Sequence, residues 1–378
     1  MLPTEGPEAA KAAGLRYTTD AIPGIRRVKR RGGFSFIAAD GKPITDKNEV
    51  ARIKSLAVPP AYTDVWICPL ANGHLQATGR DARGRKQYRY HKRWRAVRDE
   101  NKFDRMIEFA KALPNIREAV ARDIALPGMP REKVLGTIVS LTASTAIRIG
   151  NEEYARENDS YGLTTMREEH VDVKGSTVRF RFRGKSGKEH EVKIRDKRIA
   201  RIIKRSQDLP GQQLFEYLDD DGTQHPVRSE DVNEYLKAIS DGDFTAKDFR
   251  TWEATVMCAL ELAALDAEEQ NQTERKRLVT DVITKVAAHL GNTIAVCKKS
   301  YIYPGVVDEF VNSGALKLVE KAVAKAPPHA LDRHERAVVA LIERIVSRES
   351  RPLAETLAKS VRAERAKRKK APGDKKAA

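Results

Sequence analysis

Over residues 1 to 93 the apolar positions come in short runs: Ile25 to Arg30, Phe34 to Ala38, Asp64 to Cys68 and His74 to Thr78. Gly32-Gly33, Asp40-Gly41, Pro59-Pro60 and Asn72-Gly73 cut these runs apart, which predicts a β-rich region with one short helix over Lys47 to Ala57. From residue 94 the period becomes helical, with segments at Arg95 to Ala110, Ile116 to Ile124 and Glu132 to Ile149. In the last, Val134, Leu135, Ile138, Leu141, Thr142, Thr145 and Ile149 make a 3.6-period stripe that Gly150 is expected to end, with Arg148 in the final turn. Val178 to Arg183 alternates strictly and predicts a half-buried strand. Gly184 to Gly187 turns it and Lys188 to Ile194 runs back, leaving Lys185 at a hairpin tip. Thr245-Ala246-Lys247-Asp248 is a capping-box variant that opens a helix running through Leu262, with Phe249, Trp252, Val256 and Leu260 as its core face. A further helix, Gln272 to Leu290, stops at Gly291-Asn292.

The pattern therefore predicts an α+β chain. A small β-rich N-terminal domain (1–93) precedes a mostly helical domain with a small β-hairpin sheet (94–325). Two charged helical segments and a basic tail (326–378) follow the Ala326-Pro327-Pro328 break, which is expected to mark a domain end. The tail ends in Lys367-Arg368-Lys369-Lys370 and Lys375-Lys376, a composition expected to stay disordered and to tether DNA without sequence preference.

Charge narrows the function. Lys+Arg number 70 against Asp+Glu 53, a net charge of +17, which points to a polyanionic partner, nucleic acid foremost. No apolar run approaches the roughly 20 residues of a membrane span, and Met1 to Gly14 has no signal-peptide core. The three cysteines, Cys68, Cys258 and Cys297, are scattered, which fits a reduced, cytoplasmic setting. The histidines show no metal-ligand spacing and there is no phosphate-loop motif, so neither a metal nor a nucleotide cofactor is expected.

Three places carry candidate chemistry. Gly79 to Arg95 interleaves Arg80, Arg83, Arg85, Lys86 and Arg89 with Tyr88 and Tyr90 around a single acid. Arginines suit phosphates, and Gln87 is a residue type that reads adenine edges. Lys247 and Arg250, three apart at a helix start, form an anion site on physical grounds. Tyr301 follows Lys298 and Lys299. A tyrosine is a covalent nucleophile only with help, because its ordinary pKa near 10 leaves roughly one phenolate in a thousand at neutral pH.

Together these pieces resemble the type IB DNA topoisomerases of the poxvirus-like and bacterial branch, from about Ala51 to Pro304. The resemblance rests on Gly79 to His91, Arg148 to Tyr154 with Gly162 to Thr165, the hairpin Arg183 to Gly187, Lys247 to Trp252, and Gly291 to Thr293 with Lys299 to Tyr301. It implies a catalytic set of Arg148, Lys185, Arg250, Asn292 and Tyr301. Asn151, Tyr154 and Lys247 join the basic segment as DNA contacts. It further implies supercoil relaxation through a 3′-phosphotyrosyl link, by a monomer that clamps duplex DNA. Many members have histidine where this chain has Asn292. Tyrosine recombinases share the Arg, hairpin Lys, Arg and Tyr order. They usually carry histidine where this chain has Lys247, and have a helical N-terminal part. An architectural DNA-binding protein would explain the charge but not the ordered set.

Overall fold

A computed structural model describes residues 6–82, 84–209, 211–318 and 327–348. Arg83 and the basic runs after residue 348 lie outside the described residues. Two compact units divide at Arg105/Met106, rather than at the boundary expected after residue 93.

The first unit opens with helix α1 (Gly6–Ala12) and carries a five-stranded antiparallel sheet ordered β2-β1-β3-β4-β5. Its strands are β1 (Ile25–Arg30), β2 (Gly33–Ile37), β3 (Thr63–Ile67), β4 (Leu75–Arg80) and β5 (Lys86–Tyr90), and α2 (Lys47–Ser55) lies between β2 and β3 in sequence. Ile25, Phe36, Val65, Ile67 and Ala77 from the strands bury against Ile53 of α2. Trp94 closes a smaller cluster with Ala10 and Leu15. The segment dense in arginine and aromatics thus forms the β4–β5 hairpin, and β5 is a sheet edge.

The two helices expected over Arg95 to Ala110 and Ile116 to Ile124 are one, α3 (Lys92–Ile124), which runs straight through Pro114. An internal proline costs about 3 kcal/mol. Phe109, Ala110, Leu113 and Ile116 around it are all buried, and each large apolar side chain contributes roughly 1.5–3 kcal/mol, so burial wins.

In the second unit α4 (Arg131–Thr145) packs on α7 (Ser229–Ser240) and α8 (Ala246–Ala263). The latter packs on α9 (Gln272–His289) and α11 (Pro304–Ser313). Leu135, Ile138, Leu141, Cys258, Leu262, Ile283, Val286 and Phe310 fill the core. On α8, Val256 and Leu260 are only half-buried, while Thr255, Cys258, Ala259 and Leu262 are buried. Contact with both α4 and α9 rotates the buried face away from the expected stripe. A three-stranded sheet, β6 (Val171–Lys174), β7 (Thr177–Arg183) and β8 (Glu189–Arg195), pairs antiparallel in that order and is backed by α6 (Lys197–Gln207). The short α5 (Glu152–Asn158), the small hairpin β9–β10 (Glu216–Leu218, Gln224–Pro226) and α10 (Ile294–Ser300) complete the unit.

Two expectations need correction. Helix α4 stops at Thr145, where Ala146 adopts the left-handed conformation (φ 53°), so Arg148 lies beyond the helix and not in its final turn. The segment after Pro327 is helical in its described part, as expected, but it belongs to the second unit rather than lying beyond a domain end. Residues 333–348 are helical, bury Val338, Leu341, Ile342 and Ile345, and send Glu335 to a bidentate pair with Arg117 (2.6 and 2.9 Å). The Trp252 indole N–H donates to the same carboxylate at 3.1 Å.

Candidate active site

Arg148 reaches its place through backbone packing. The turn after α4 is clasped by the 162–165 segment: Leu163 N–H donates to the Arg148 carbonyl (2.9 Å) and Gly162 lies so close that a Cβ there would sit 2.6 Å from that oxygen. Arg250, on the first turns of α8, is 4% exposed. Its Nη1 donates to the Ala146 carbonyl and its Nη2 to the Leu290 carbonyl (2.8 Å). Both carbonyls lie at helix C-termini, which lack intrahelical donors and carry the negative end of the dipole. The capping box that starts α8 is present, with Thr245 N–H donating to Asp248 at 2.8 Å.

The Gly291-Asn292 stop is a Schellman turn. Gly291 has φ 62°, its N–H donates to the Ala288 carbonyl (3.1 Å), and Asn292 N–H donates to the Ala287 carbonyl (2.8 Å). This buries Asn292 and aims its side-chain oxygen at Arg148, whose Nη2 donates to it. The Asn292 Nδ2 is buried with no partner among the described residues, a donor left unused.

Thr293 caps α10 and Tyr301 ends it. The Tyr301 ring lies beside the Arg250 guanidinium, 5.3 Å from its carbon. Burial alone would push the Tyr301 phenol up. The charges of Arg250 and Arg148, a hydrogen bond with Arg250 and the charge of Lys247 outweigh it, and the net direction is down. Burial pushes both arginines down, Arg250 to about 10, with the neighbouring Arg148 adding repulsion. At about 10 Arg250 stays charged at neutral pH, and a guanidinium is not deprotonated in proteins. Among the described residues no carboxylate pairs with either, leaving two desolvated cations without an anion.

Lys185 stands exposed on a 3₁₀ turn (Lys185–Gly187) at the β7–β8 tip. It lines one cleft of about 540 Å³ with Arg148, Asn151, Tyr154, Lys247, Arg250 and Tyr301. The exposed Lys247 contributes charge at the rim. Asn151 spends its side-chain oxygen capping α5, accepting from Tyr154 N–H at 3.0 Å.

The reading of single residues missed His190 and Lys188. The His190 ring stacks on Phe182 (5.1 Å) and fills the space a Cβ on Gly184 or Gly291 would need. Burial first, then Arg148, Arg250 and Lys188, lowers its pKa and keeps it neutral. Lys188 Nζ donates to the Asn292 carbonyl at 2.9 Å. The hairpin that carries Lys185 is thereby tied to the turn that carries Asn292. Strict alternation along β8 puts His190 on the inward face with Val192 and Ile194, so its burial was available from the period.

The profile of the eukaryotic DNA topoisomerase I catalytic core matches residues 91–312, and that of the bacterial DNA topoisomerase IB N-terminal domain matches 33–81. The chain belongs to the type IB DNA topoisomerases. It is 32% identical over 299 residues to DNA topoisomerase 1B of Acanthamoeba polyphaga mimivirus, covering 77% of this chain and 88% of that one. The DNA topoisomerase 1B of Vaccinia virus (strain Copenhagen) is 21% identical over 287 residues, 74% of this chain and 88% of the relative. A shorter match, 30% over 169 residues, reaches DNA topoisomerase 1 of Schizosaccharomyces pombe, covering 43% of this chain and 19% of that protein. The enzyme is thus an isomerase of the viral and bacterial branch.

On β4–β5, Tyr88 is 48% exposed and Tyr90 half-buried, with parallel rings 6.2 Å apart. Lys86 pairs with Asp20 at 2.6 Å. Arg80 Nη1 donates to the Gly84 carbonyl (2.8 Å), and Arg89 reaches the Ala57 carbonyl (3.4 Å). Arg85 and Gln87 both donate to Asp81 (2.8 and 3.0 Å).

Proposed function

We propose that the enzyme relaxes supercoiled duplex DNA by transient cleavage of one strand at Tyr301, without ATP or a metal ion. One observation carries this: Arg148, Arg250 and Tyr301, far apart in sequence, share one cleft, and the two cations draw the phenol toward ionisation. A backbone phosphate entering between the guanidiniums supplies the missing anion. The Tyr301 oxygen attacks phosphorus in line as its proton leaves to solvent. A P–O bond to tyrosine forms and the bond to the 5′ oxygen breaks. Lys185 gives that oxygen a proton, leaving a 3′-phosphotyrosine and a 5′-hydroxyl. Arg148, Arg250 and the unused Asn292 Nδ2 hydrogen-bond the non-bridging oxygens as charge builds on them. The covalent link conserves the bond energy, so resealing is the reverse reaction and needs no nucleotide. Between the two steps the free strand end rotates and supercoils are lost. A monomer clamping the duplex, in a cytoplasmic, nucleoid-associated setting, belongs to the same reading and fits the net charge of +17.

The test is relaxation of negatively and positively supercoiled plasmid in EDTA without ATP, with denaturant trapping of the covalent adduct. Ladders of relaxed topoisomers and a trapped adduct are expected. A strict requirement for ATP or Mg²⁺ would overturn the reading, and discrete strand-exchange products between two duplexes would assign a recombinase instead.

A further inference from the structure

We propose that Asp81 is a positioning residue that sets base specificity: it fixes the orientation of the Gln87 amide so that this side chain reads adenine and rejects guanine. This rests on duplex DNA being the substrate, as argued above.

Asp81 and Gln87 stand on the two arms of the β4–β5 hairpin. Asp81 N–H donates to the Arg85 carbonyl (3.0 Å), and Gly79 lies opposite Gln87 in the register. The Asp81 side chain is 11% exposed. One of its oxygens accepts from Arg85 N–H (3.1 Å), and the other accepts from Arg85 Nε (2.8 Å) and from Gln87 Nε2 (3.0 Å). An acid in so basic a segment costs affinity for phosphate. Arg85, with a nitrogen 2.6 Å away, offsets that charge, so Asp81 does not act as a free anion toward DNA.

Its effect on Gln87 follows from donor chemistry. A carboxylate only accepts hydrogen bonds, so the amide nitrogen of Gln87 must face Asp81 and the amide oxygen must face away. A glutamine without such a neighbour can flip and exchange its donor and acceptor ends. Once one N–H is given to Asp81, one N–H and the oxygen remain, side by side. That pair matches adenine in the major groove, which offers an acceptor at N7 and a donor at N6. Guanine presents two acceptors, O6 and N7, and would set the fixed oxygen of Gln87 against one of them. Gln87 is half-buried on the edge strand, while Lys86 and Tyr88 on its other face are exposed.

The experiment uses the full-length enzyme and single-turnover cleavage of duplex oligonucleotides around a mapped cleavage site, with each base pair replaced in turn. The wild type is expected to prefer adenine at one position, and Gln87→Ala to erase that preference. At that position Asp81→Ala is expected to lower the discrimination of adenine from guanine by roughly 5- to 150-fold, the worth of one bidentate base contact. Asp81→Asn, which keeps an acceptor for the turn but lets the amides flip together, is expected to give part of that loss with an unchanged unfolding temperature. In the double variants with Gln87→Ala the Asp81 effect is expected to vanish. Unchanged discrimination in both Asp81 variants, an even loss at every position, or an Asp81 effect that persists without Gln87 would overturn the proposal. A wild-type enzyme that fails to cleave duplex DNA would overturn the functional reading instead, so the two failures are separable.

Discussion

Arg250 and Lys185 line the same cleft, yet the guanidinium is 4% exposed and held by two backbone carbonyls, while the ammonium stands on an exposed turn. The difference fits the tasks that the proposed reaction would give them. Charge on the phosphate's non-bridging oxygens builds at a fixed place, so donors placed beforehand need no reorganisation, at the standing cost of two desolvated cations. A proton donor must instead follow a departing oxygen whose position depends on how DNA is seated. An exposed hairpin tip, tied to the Asn292 turn through Lys188, supplies reach without losing its anchor.

The sharpest way to break this comparison is Tyr301→Phe. It removes the proposed nucleophile while leaving both guanidiniums, so trapped adducts should disappear and DNA affinity should persist. Adducts that survive would move the nucleophile elsewhere, Tyr303 being next to consider.

Lys185→Ala comes second. If it serves as general acid, cleavage should slow by roughly 10²–10⁴-fold. On DNA with sulfur at the bridging 5′ position most of that loss should vanish, since a thiolate leaves without a proton. Arg250→Ala should stay slow on both substrates. Equal defects on both for Lys185→Ala would make it a phosphate binder and turn attention to Lys247.

Asn292 tests the fixed side of the cleft. Losing one transition-state donor costs roughly 10²–10³-fold, which is the expected drop for Asn292→Ala, whereas Asn292→His keeps a donor and should retain much activity. Near-normal cleavage by the alanine variant would leave Asn292 with only its place in the Schellman turn.

The pH profile is a smaller and more specific probe. With the phenol drawn down by Arg250 and Arg148, the cleavage rate should rise with pH and level off below the ordinary tyrosine value of 10. Removing a cation disfavours the phenolate, so in Arg250→Ala the inflection should move upward. An inflection that stays put would mean that Arg250 does not set the ionisation of Tyr301.

The smallest effects belong to the sheet edge. Replacing Arg85, Lys86 and Arg89 with alanine should flatten the salt dependence of binding by about 0.9 in slope per lost phosphate contact. Arg85 and Lys86 are already paired with Asp81 and Asp20, so each must exchange an internal partner for a phosphate. An unchanged slope would mean they never do.

Local chemistry was legible along the chain. Period-2 alternation marked the β7–β8 hairpin, Thr245 to Asp248 marked the start of α8, and Gly291-Asn292 marked the end of α9. These signals depend on hydrogen bonds and burial within a few residues of one another. Of the residues that the family motifs point to, Arg148, Lys185, Arg250 and Tyr301 share one cleft, and Asn292 accepts from Arg148. Other features depended on contacts between residues far apart in sequence. Ala146, not Gly150, turns the chain out of α4, because the 162–165 segment clasps the loop beyond it. α3 runs through Pro114 because burial on both sides exceeds the cost of a lost hydrogen bond. Arg250 is buried rather than at a solvated helix start because carbonyls from two other helices reach it. Glu335 becomes a core partner only once Arg117 and Trp252 meet it. The sequence by itself determined which elements form and which residue types the reaction has available. Tertiary structure decided which charges lose their water and which donors stay unpaired, because desolvation depends on every segment that closes over a group.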